Sequence, residues 1–381
     1  MNRKSRKLSG MIYLFITIII LFAAIVILVP KHVLRYFYWN FADLEDYKKF
    51  PSVGMKKGET TFRFSEPARK TDFRIPLKFK SDEKKISFES FLEIHKTVAF
   101  LVVRNDTLIY ESYFAGYNDT SVIPSFSVAK AFVSALVGIA IDEGRIKSTS
   151  LPVTEYLPEL KSPGMEKITI EDLLNMRSGI DFNESYNSPF ADMAKYYYGT
   201  DLKKYITTLK IKEPPDRTYD YISVNALLLS LIVERATGKS IDGYLEQKIW
   251  QPIGMEYDGS WSVDSKKNLT VKSFCCINSV ARDFARFGRL YLKKGNWDGK
   301  QVISEKWIER STTIINDSRD SQGYPFTYLW RVLNNGAFFA KGILGQYIIV
   351  YPAKNLVFVR MGKHYGDVDW VDFCMALASE V

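Results

Sequence analysis

The sequence predicts an α/β fold of the α+β type, with an antiparallel sheet flanked by helices and a mostly helical subdomain. Two strand pairs and the region between them support this prediction. Residues 98–103 are an apolar run, residues 104–106 are a polar turn and residues 107–113 are the returning strand, which is typical of a hairpin. A second pair, residues 346–351 and 356–361, lies near the C-terminus. Because helical patterns fill the region between, we expect one sheet assembled from both ends of a domain.

The chain begins with a candidate membrane anchor. Residues 11–29 carry no charge and come close to the roughly 20 residues that a spanning helix needs. Four basic residues precede them, so the N-terminus is expected in the cytoplasm. We predict a cytoplasmic segment at residues 1–9, a single transmembrane helix at residues 10–30, and a folded domain in the periplasm or on the cell surface. A cleaved signal peptide is the alternative, but the long apolar run and the Val29-Pro30-Lys31-His32 flank favour an uncleaved anchor.

The positive net charge does not indicate a nucleic-acid partner. Residues 1–49 hold eight basic and three acidic residues, so most of the +9 flanks the predicted membrane segment. Anionic lipids attract such charge. Because no basic and aromatic stripe follows, we expect no nucleic-acid partner.

Cysteine and histidine are scarce. Cys275, Cys276 and Cys374 give no disulfide framework, and neighbouring Cys275 and Cys276 could bridge only with strain. We therefore expect three small buried residues. No Cys/His cluster has zinc spacing, so no metal and no organic cofactor is predicted.

The predicted domain spans residues 91–381. Residues 31–90 are polar, charged and interrupted by Pro51, Pro67 and Pro76, and are interpreted as a juxtamembrane linker and a loosely packed preamble. Residues 183–198 resemble a surface loop beside a cleft. Apolar periodicity and glycine stop signals predict helices at residues 124–144, 170–176, 224–237, 281–294 and 367–380.

The first of these helices carries a possible nucleophile. Ser127 and Lys130 lie one turn apart on one face of an otherwise apolar helix. Burial disfavours a charged ammonium, so Lys130 could accept the serine proton, and the helix N-terminus favours negative charge at Ser127. This spacing alone is a weak signal, because Ser81 and Lys84 repeat it within a charged run. The apolar setting separates Ser127 from that copy, since a buried lysine needs a partner.

Two later segments could complete such a site. Tyr221 precedes the helix at residues 224–237, and a tyrosine beside a lysine can relay protons. The glycines of the segment Gly342-Ile343-Leu344-Gly345 would let a substrate approach the backbone closely. A histidine-assisted hydrolase using His95 or His364 remains an alternative.

These segments together resemble the three ordered motifs of the serine β-lactamase-like and DD-peptidase superfamily: Ser127-Val128-Ala129-Lys130, Tyr221-Ile222-Ser223, and the glycine-flanked strand. The resemblance covers about residues 95–380 and includes blocks at residues 173–179, 234–238 and 281–288. Within that superfamily the chain is similar to the 6-aminohexanoate-dimer hydrolases and class C-like esterases.

The resemblance implies that Ser127 attacks while Lys130 and Tyr221 move its proton. It also implies that the backbone N–H groups of Ser127 and Ile343 hold the oxyanion. Gly345, Tyr186 and Ser223 complete the implied set of oxyanion and substrate-binding residues, with Tyr186 on a mobile loop. No metal is implied.

Two positions depart from that pattern. Ser223 stands where β-lactamases and DD-peptidases usually have Asn, and Ala340 stands where they have Lys or His, unless neighbouring Lys341 substitutes. Without that cation the grip on a substrate carboxylate is lost, which argues against potent β-lactamase activity.

The prediction is therefore a membrane-anchored serine hydrolase that cleaves a small-molecule amide, ester or peptide through an acyl-enzyme. A DD-peptidase or carboxypeptidase acting on cell-wall peptides is one alternative. A non-catalytic binding or sensing module on the same fold is the other.

Overall fold

The computed structural model describes residues 11–20, 28–68, 71–79 and 86–380. Its main sheet confirms the predicted assembly from both ends of the domain, because a C-terminal strand pairs with the N-terminal hairpin. Leu356 lies opposite Arg104, and the pairing continues to Gly362 and Thr97. Seven antiparallel strands of the described residues form this sheet, in the spatial order β11 (Phe326–Thr327), β12 (Trp330–Val332), β13 (Phe338–Gly342), β14 (Gln346–Tyr351), β15 (Leu356–Gly362), β2 (Thr97–Arg104) and β3 (Thr107–Tyr113).

Helices cover both faces of the main sheet. Helix α10 (Ala281–Leu292) crosses one face so closely that a Cβ at Gly288 would lie 2.5 Å from Val357. Helices α3 (Phe88–Ile94) and α12 (Trp370–Ala378) pack on the other face, where Phe91 and Phe373 stack with ring centroids 5.1 Å apart. With both faces covered, the central strands are apolar throughout, which explains the unbroken apolar run that predicts β2.

A mostly helical subdomain lies between the two parts of the sheet, as predicted. Its α8 (Val224–Thr237) has the predicted bounds, whereas residues 183–198 are only partly loop because they end in α6 (Asp192–Tyr198). Further helices are α4 (Ala129–Asp142), α5 (Ile170–Leu174), α7 (Leu202–Ile206), α9 (Ile241–Leu245) and α11 (Glu305–Thr312). Shorter strands are β5 (Ile180–Asp181), β6 (Lys210–Ile211), β9 (Asn296–Trp297) and β10 (Lys300–Gln301).

A second, smaller sheet supports the start of α4. In the described part of the chain its strands are β1 (Ser52–Met55), β7 (Gly259–Ser262), β8 (Ile277–Ser279) and β4 (Ile123–Pro124), in that spatial order. Strand β4 pairs with β8 immediately before Ser127. This pairing fixes the chain as it enters the candidate site.

Residues 31–55 are packed, in contrast to the loose packing expected for residues 31–90. Helix α1 (Lys31–Trp39) lies against α6, followed by α2 (Asp46–Lys49) and β1. Tyr36, Leu44, Phe50 and Met55 are buried. The charges in this segment lie between apolar and aromatic residues, so its mean polarity conceals a packing face.

Among the described residues no helix combines the length and the apolar character that crossing a bilayer requires. Residues 11–20 are helical, while residue 10 and residues 21–27 of the predicted span lie outside the described ranges, as do Ser81 and Lys84.

Cys275 and Cys276 form a disulfide between neighbouring residues, so the expectation of unpaired cysteines is wrong for this pair. Cys276 adopts a positive φ of 72°, a backbone conformation that spacing alone could not reveal. Cys374 is buried and unpaired, as expected.

Candidate active site

Ser127 lies in a strained turn at the start of α4. A 3₁₀ turn, Phe126–Val128, precedes the α-helix, so the regular helix begins two residues after Ser127. Phe126 is buried with a φ of 44°, which is costly for a residue with a large side chain. Strand β8 holds this turn, because Ser125 N donates to Ile277 O at 2.7 Å and Ile277 N donates to Ser125 Oγ at 3.0 Å. The partly exposed Ser127 is thus presented by a fixed backbone.

Lys130 is buried at the centre of the site with three polar partners. Its Nζ lies 3.0 Å from Ser127 Oγ, 3.2 Å from Ser223 Oγ and 2.8 Å from the Phe274 carbonyl oxygen. The carbonyl can only accept a hydrogen bond. The structure therefore brings together Ser127, Lys130 and Ser223, as the sequence predicts.

Glu184 joins this group and was missed by sequence reasoning. Ser223 Oγ donates to Glu184 Oε1 at 2.6 Å, and Ser223 N donates to Oε2 at 2.7 Å. The Tyr186 hydroxyl donates to the same Oε1 at 2.8 Å. Glu184 and Tyr186 are two residues apart, so an extended loop turns both to one side. That spacing was the available signal, but the partner Ser223 is distant in sequence.

The electrostatics of Glu184 reflect its burial. Desolvation raises the pKa of this carboxyl, while Lys130 and the donated hydrogen bonds act in the opposite direction. Burial, and then the neighbouring Glu184, also raise the pKa of Tyr186 well above its usual range. Tyr186 thus keeps its proton and donates a hydrogen bond to the carboxylate.

Tyr221 lies beside Lys130, but its hydroxyl does not make the predicted direct contact with Ser127 or Lys130. Lys130 Nζ is 4.9 Å from the centroid of its ring, and the Arg331 guanidinium lies 5.4 Å from the same centroid. Within the described ranges the Tyr221 hydroxyl makes no hydrogen bond, so the ring is brought to the site without a direct bond to Ser127 or Lys130.

The predicted oxyanion strand packs directly against the nucleophile turn. A Cβ at Gly342 would lie 2.6 Å from Ser125 O and 3.1 Å from Ser127 N, so only glycine permits this approach. Ile343 follows at the end of β13, next to that contact. Gly345 has a different role: its carbonyl accepts from Arg360 Nη1 at 2.7 Å, and an added Cβ would meet the same guanidinium. Its carbonyl thus supports the turn through Arg360.

Lys341 does not substitute for the cation missing at Ala340. Its side chain is held by other residues, with Nζ 5.1 Å from the ring centroid of Tyr365. Its ammonium group binds the Gln322 side-chain oxygen. Burial, and then the charge of Arg331, lower the pKa of Lys341 to about 8.

The two domain histidines are not partners of Ser127. His95 packs against Phe91, with ring centroids 4.5 Å apart, behind the main sheet. His364 is exposed, and its Nδ1 accepts from Gly366 N at 3.1 Å. In the described ranges no group of three His, Cys, Asp or Glu residues could hold a metal ion.

A cavity of about 350 Å³ opens beside the candidate oxyanion strand. Ile343 and Leu344 form one end, while Tyr186, Met193 and Tyr365 line its sides. Phe41 closes it from the N-terminal segment. The lining is predominantly aromatic and aliphatic, which is typical of a small-molecule site.

The chain is similar in sequence and in fold to known proteins. A family model described as Beta-lactamase matches residues 93–369. The 6-aminohexanoate-dimer hydrolase of Paenarthrobacter ureafaciens is 30% identical over 351 residues, which cover 85% of this chain and 85% of that protein. A solved Bacillus anthracis structure, provisionally named a 6-aminohexanoate-dimer hydrolase, superposes with a TM-score of 0.79 at 23% identity, over 91% of this chain and 94% of its own. A family VIII carboxylesterase superposes with a TM-score of 0.61 at 18% identity, over 77% of this chain and 95% of its own.

The chain belongs to the Beta-lactamase family, which confirms the resemblance of its motifs to the serine β-lactamase-like superfamily. It is a serine hydrolase of that superfamily.

Proposed function

We propose that this protein hydrolyses an amide or ester through an acyl-enzyme at Ser127. The contacts of Lys130 carry the proposal. The Ser223 hydroxyl donates its hydrogen bond to Glu184, so its oxygen is free to accept one from Lys130, as the Phe274 carbonyl does. In the neutral form that a general base requires, the amine would donate its two N–H groups to these two acceptors. Its lone pair would then be left for the Ser127 hydroxyl, whose oxygen lies 3.0 Å from Nζ.

In the acylation step, Lys130 takes the Ser127 proton while Oγ bonds to the substrate carbonyl carbon. The negative oxygen of the tetrahedral intermediate accepts hydrogen bonds from the N–H groups of Ser127 and Ile343. The bond to the leaving group then breaks, and the amine or alkoxide takes a proton from the Tyr221 hydroxyl, which Lys130 restores.

In deacylation a water molecule replaces the leaving group. Its proton passes to the Tyr221–Lys130 pair, its oxygen bonds to the acyl carbon, and the bond to Ser127 Oγ breaks as the serine regains its proton. The products are a carboxylic acid and an amine or alcohol.

We expect substrates other than β-lactams, because the cation that binds a β-lactam carboxylate in related enzymes is missing at the third motif. Ala340 offers no charge, and the Lys341 ammonium group is bound to the Gln322 side-chain oxygen. The 30% identical relative is named for an amide substrate, the 6-aminohexanoate dimer, which supports a linear amide or a related ester here.

A fluorophosphonate probe tests the nucleophile. The probe should label the wild-type protein, and Ser127→Ala should abolish labelling while Ser81→Ala, in the second Ser-x-x-Lys segment, should not. Lys130→Ala should lower ester turnover about a hundredfold to ten-thousandfold, the usual contribution of a general base. Labelling that survives in Ser127→Ala would exclude this mechanism, and strong labelling by fluorescent penicillin would favour the cell-wall peptidase instead.

We also propose that residues 10–30 anchor the enzyme in the membrane with its domain outside the cytoplasm. Support comes from the uncharged residues 11–29 and the basic residues before them.

A further inference from the structure

We propose that residues 36–42, which precede the family domain, form the end of an acyl-chain pocket that selects neutral, apolar substrates. This inference rests on the proposed function and names its substrate class. The family match begins at residue 93, so the segment is an addition to the part of the chain that the family model describes.

The pocket connects to the candidate chemistry through Ile343. This residue lines the cavity and also follows Gly342, which packs against the Ser127 nitrogen. A substrate carbonyl held at the Ser127 and Ile343 N–H groups would therefore place one of its substituents in the cavity. In this proposal that substituent is the acyl group, which remains bound to Ser127 in the acyl-enzyme.

The N-terminal segment is fixed against the pocket by hydrogen bonds. The Tyr36 hydroxyl donates to the Tyr186 carbonyl oxygen at 3.3 Å, which links α1 to the loop that carries Glu184. The Tyr198 hydroxyl donates to Asn40 O at 2.6 Å, and Arg35 Nη1 donates to Tyr198 O at 3.1 Å. These contacts hold Phe41 and Ala42 at the cavity, where both contribute lining.

The lining chemistry selects the ligand class. Tyrosine and phenylalanine rings, Met193, Ala194 and Leu344 dominate the wall, and no acidic, lysine or arginine side chain of the described residues lines it. His364 is the one residue of that wall with a basic side chain. Few groups of this wall could replace the hydration of a charged chain end, whereas an aliphatic chain would be buried favourably.

A chain-length series tests this inference on the full-length enzyme. The substrates are p-nitrophenyl acetate, butyrate, hexanoate, octanoate and decanoate, each below its micelle-forming concentration. We expect kcat/KM to rise by up to about fourfold for each methylene group that enters the pocket. An ester that ends in a carboxylate should react more slowly than a neutral ester of equal length.

Two variants locate the selectivity in residues 36–42. Phe41→Ala should lower kcat/KM for the longest effective ester about fivefold relative to acetate. Ala42→Trp should shorten the preferred chain by filling the cavity. Phe37→Ala is the matched control, because Phe37 is 69% exposed on α1 and does not line the cavity.

The outcomes separate this inference from the proposed function. If Ser127→Ala retains ester turnover, the proposed function fails. If turnover requires Ser127 but Phe41→Ala and Ala42→Trp keep the wild-type chain-length profile, the pocket assignment alone is overturned. A preference for the carboxylate-ended ester would also overturn it.

Discussion

At the scale of single residues, Glu184 is the side chain on which the proposed proton route depends. It accepts a hydrogen bond from the Ser223 hydroxyl, and the Ser223 oxygen is thereby free to accept one from Lys130. Glu184→Gln keeps the shape but replaces one acceptor oxygen with an NH₂ donor. Because an unsatisfied buried polar group costs about 1–3 kcal/mol, we expect kcat to fall roughly tenfold to a hundredfold. The exposed Glu155→Gln serves as the control in the same steady-state assay.

The pH dependence of activity provides a second test of the role of Glu184. Burial raises the pKa of Glu184 above its ordinary 4.5, so the wild-type activity should decline with acid above the usual carboxyl range. Glu184→Gln should lack that acid limb. The unfolded chain releases this proton at a lower pH than the folded one, so the stability of the wild type decreases as the pH rises through the same interval. An unchanged acid limb in Glu184→Gln would show that another group titrates.

The candidate site was predictable where its chemistry is local. Ser127 and Lys130 share one helical turn, and their apolar surroundings are visible in the sequence. Glu184 was not predictable, because its role arises only when the loop at residues 183–191 folds against Ser223. Gly345 was assigned to the site because glycines mark both functional and structural turns, and only its contact with Arg360 distinguishes them.

At the scale of elements, the segment that contains the Cys275–Cys276 disulfide holds both ends of the nucleophile turn. The Phe274 carbonyl accepts from Lys130, and Ile277 pairs with Ser125. Between them, the Cys275 carbonyl accepts from Trp261 Nε1 at 2.7 Å. The bridge therefore lies in the backbone that positions the proposed base.

Replacing both bridged cysteines should lower activity without unfolding the protein. For the double variant Cys275→Ala and Cys276→Ala we expect kcat to fall about tenfold to a hundredfold with little change in KM, since small misplacements of catalytic groups have effects of this size. Cys374→Ala, in α12 behind the sheet, is the matched control. If kcat is unchanged while the disulfide is shown to be absent, the bridge does not position Lys130.

The elements differ in how well the sequence predicts them. Helix α8 and the strands β2, β14 and β15 follow from apolar periodicity and stop signals. The second sheet could not be predicted, because β4 has only two residues and is defined by its partner β8. Residues 31–55 were interpreted as a linker since their charges conceal Tyr36, Phe50 and Met55, which are buried only by distant elements.

At the scale of the whole molecule, the N-terminal region divides at about residue 30 into a proposed anchor and a packed segment. A chain that starts at residue 31 should leave the membrane fraction, keep its thermal midpoint and remain active, because the domain's packing begins with α1. A chain that starts at residue 56 loses β1 and the buried Tyr36, Leu44, Phe50 and Met55. At about 1.5–3 kcal/mol for each large apolar side chain, that loss exceeds about 5 kcal/mol and should leave little folded enzyme.

Fractionation, thermal unfolding and ester turnover of the three chain lengths separate the two roles. Membrane association that persists without residues 1–30 would contradict the anchor. An unchanged thermal midpoint in the chain that starts at residue 56 would contradict the packing role of residues 31–55. Those same residues close the proposed acyl-chain pocket. If the chain that starts at residue 56 does fold, we therefore expect it to lose the preference for long acyl chains. The same segment would then determine both the stability of the domain and its choice of substrate.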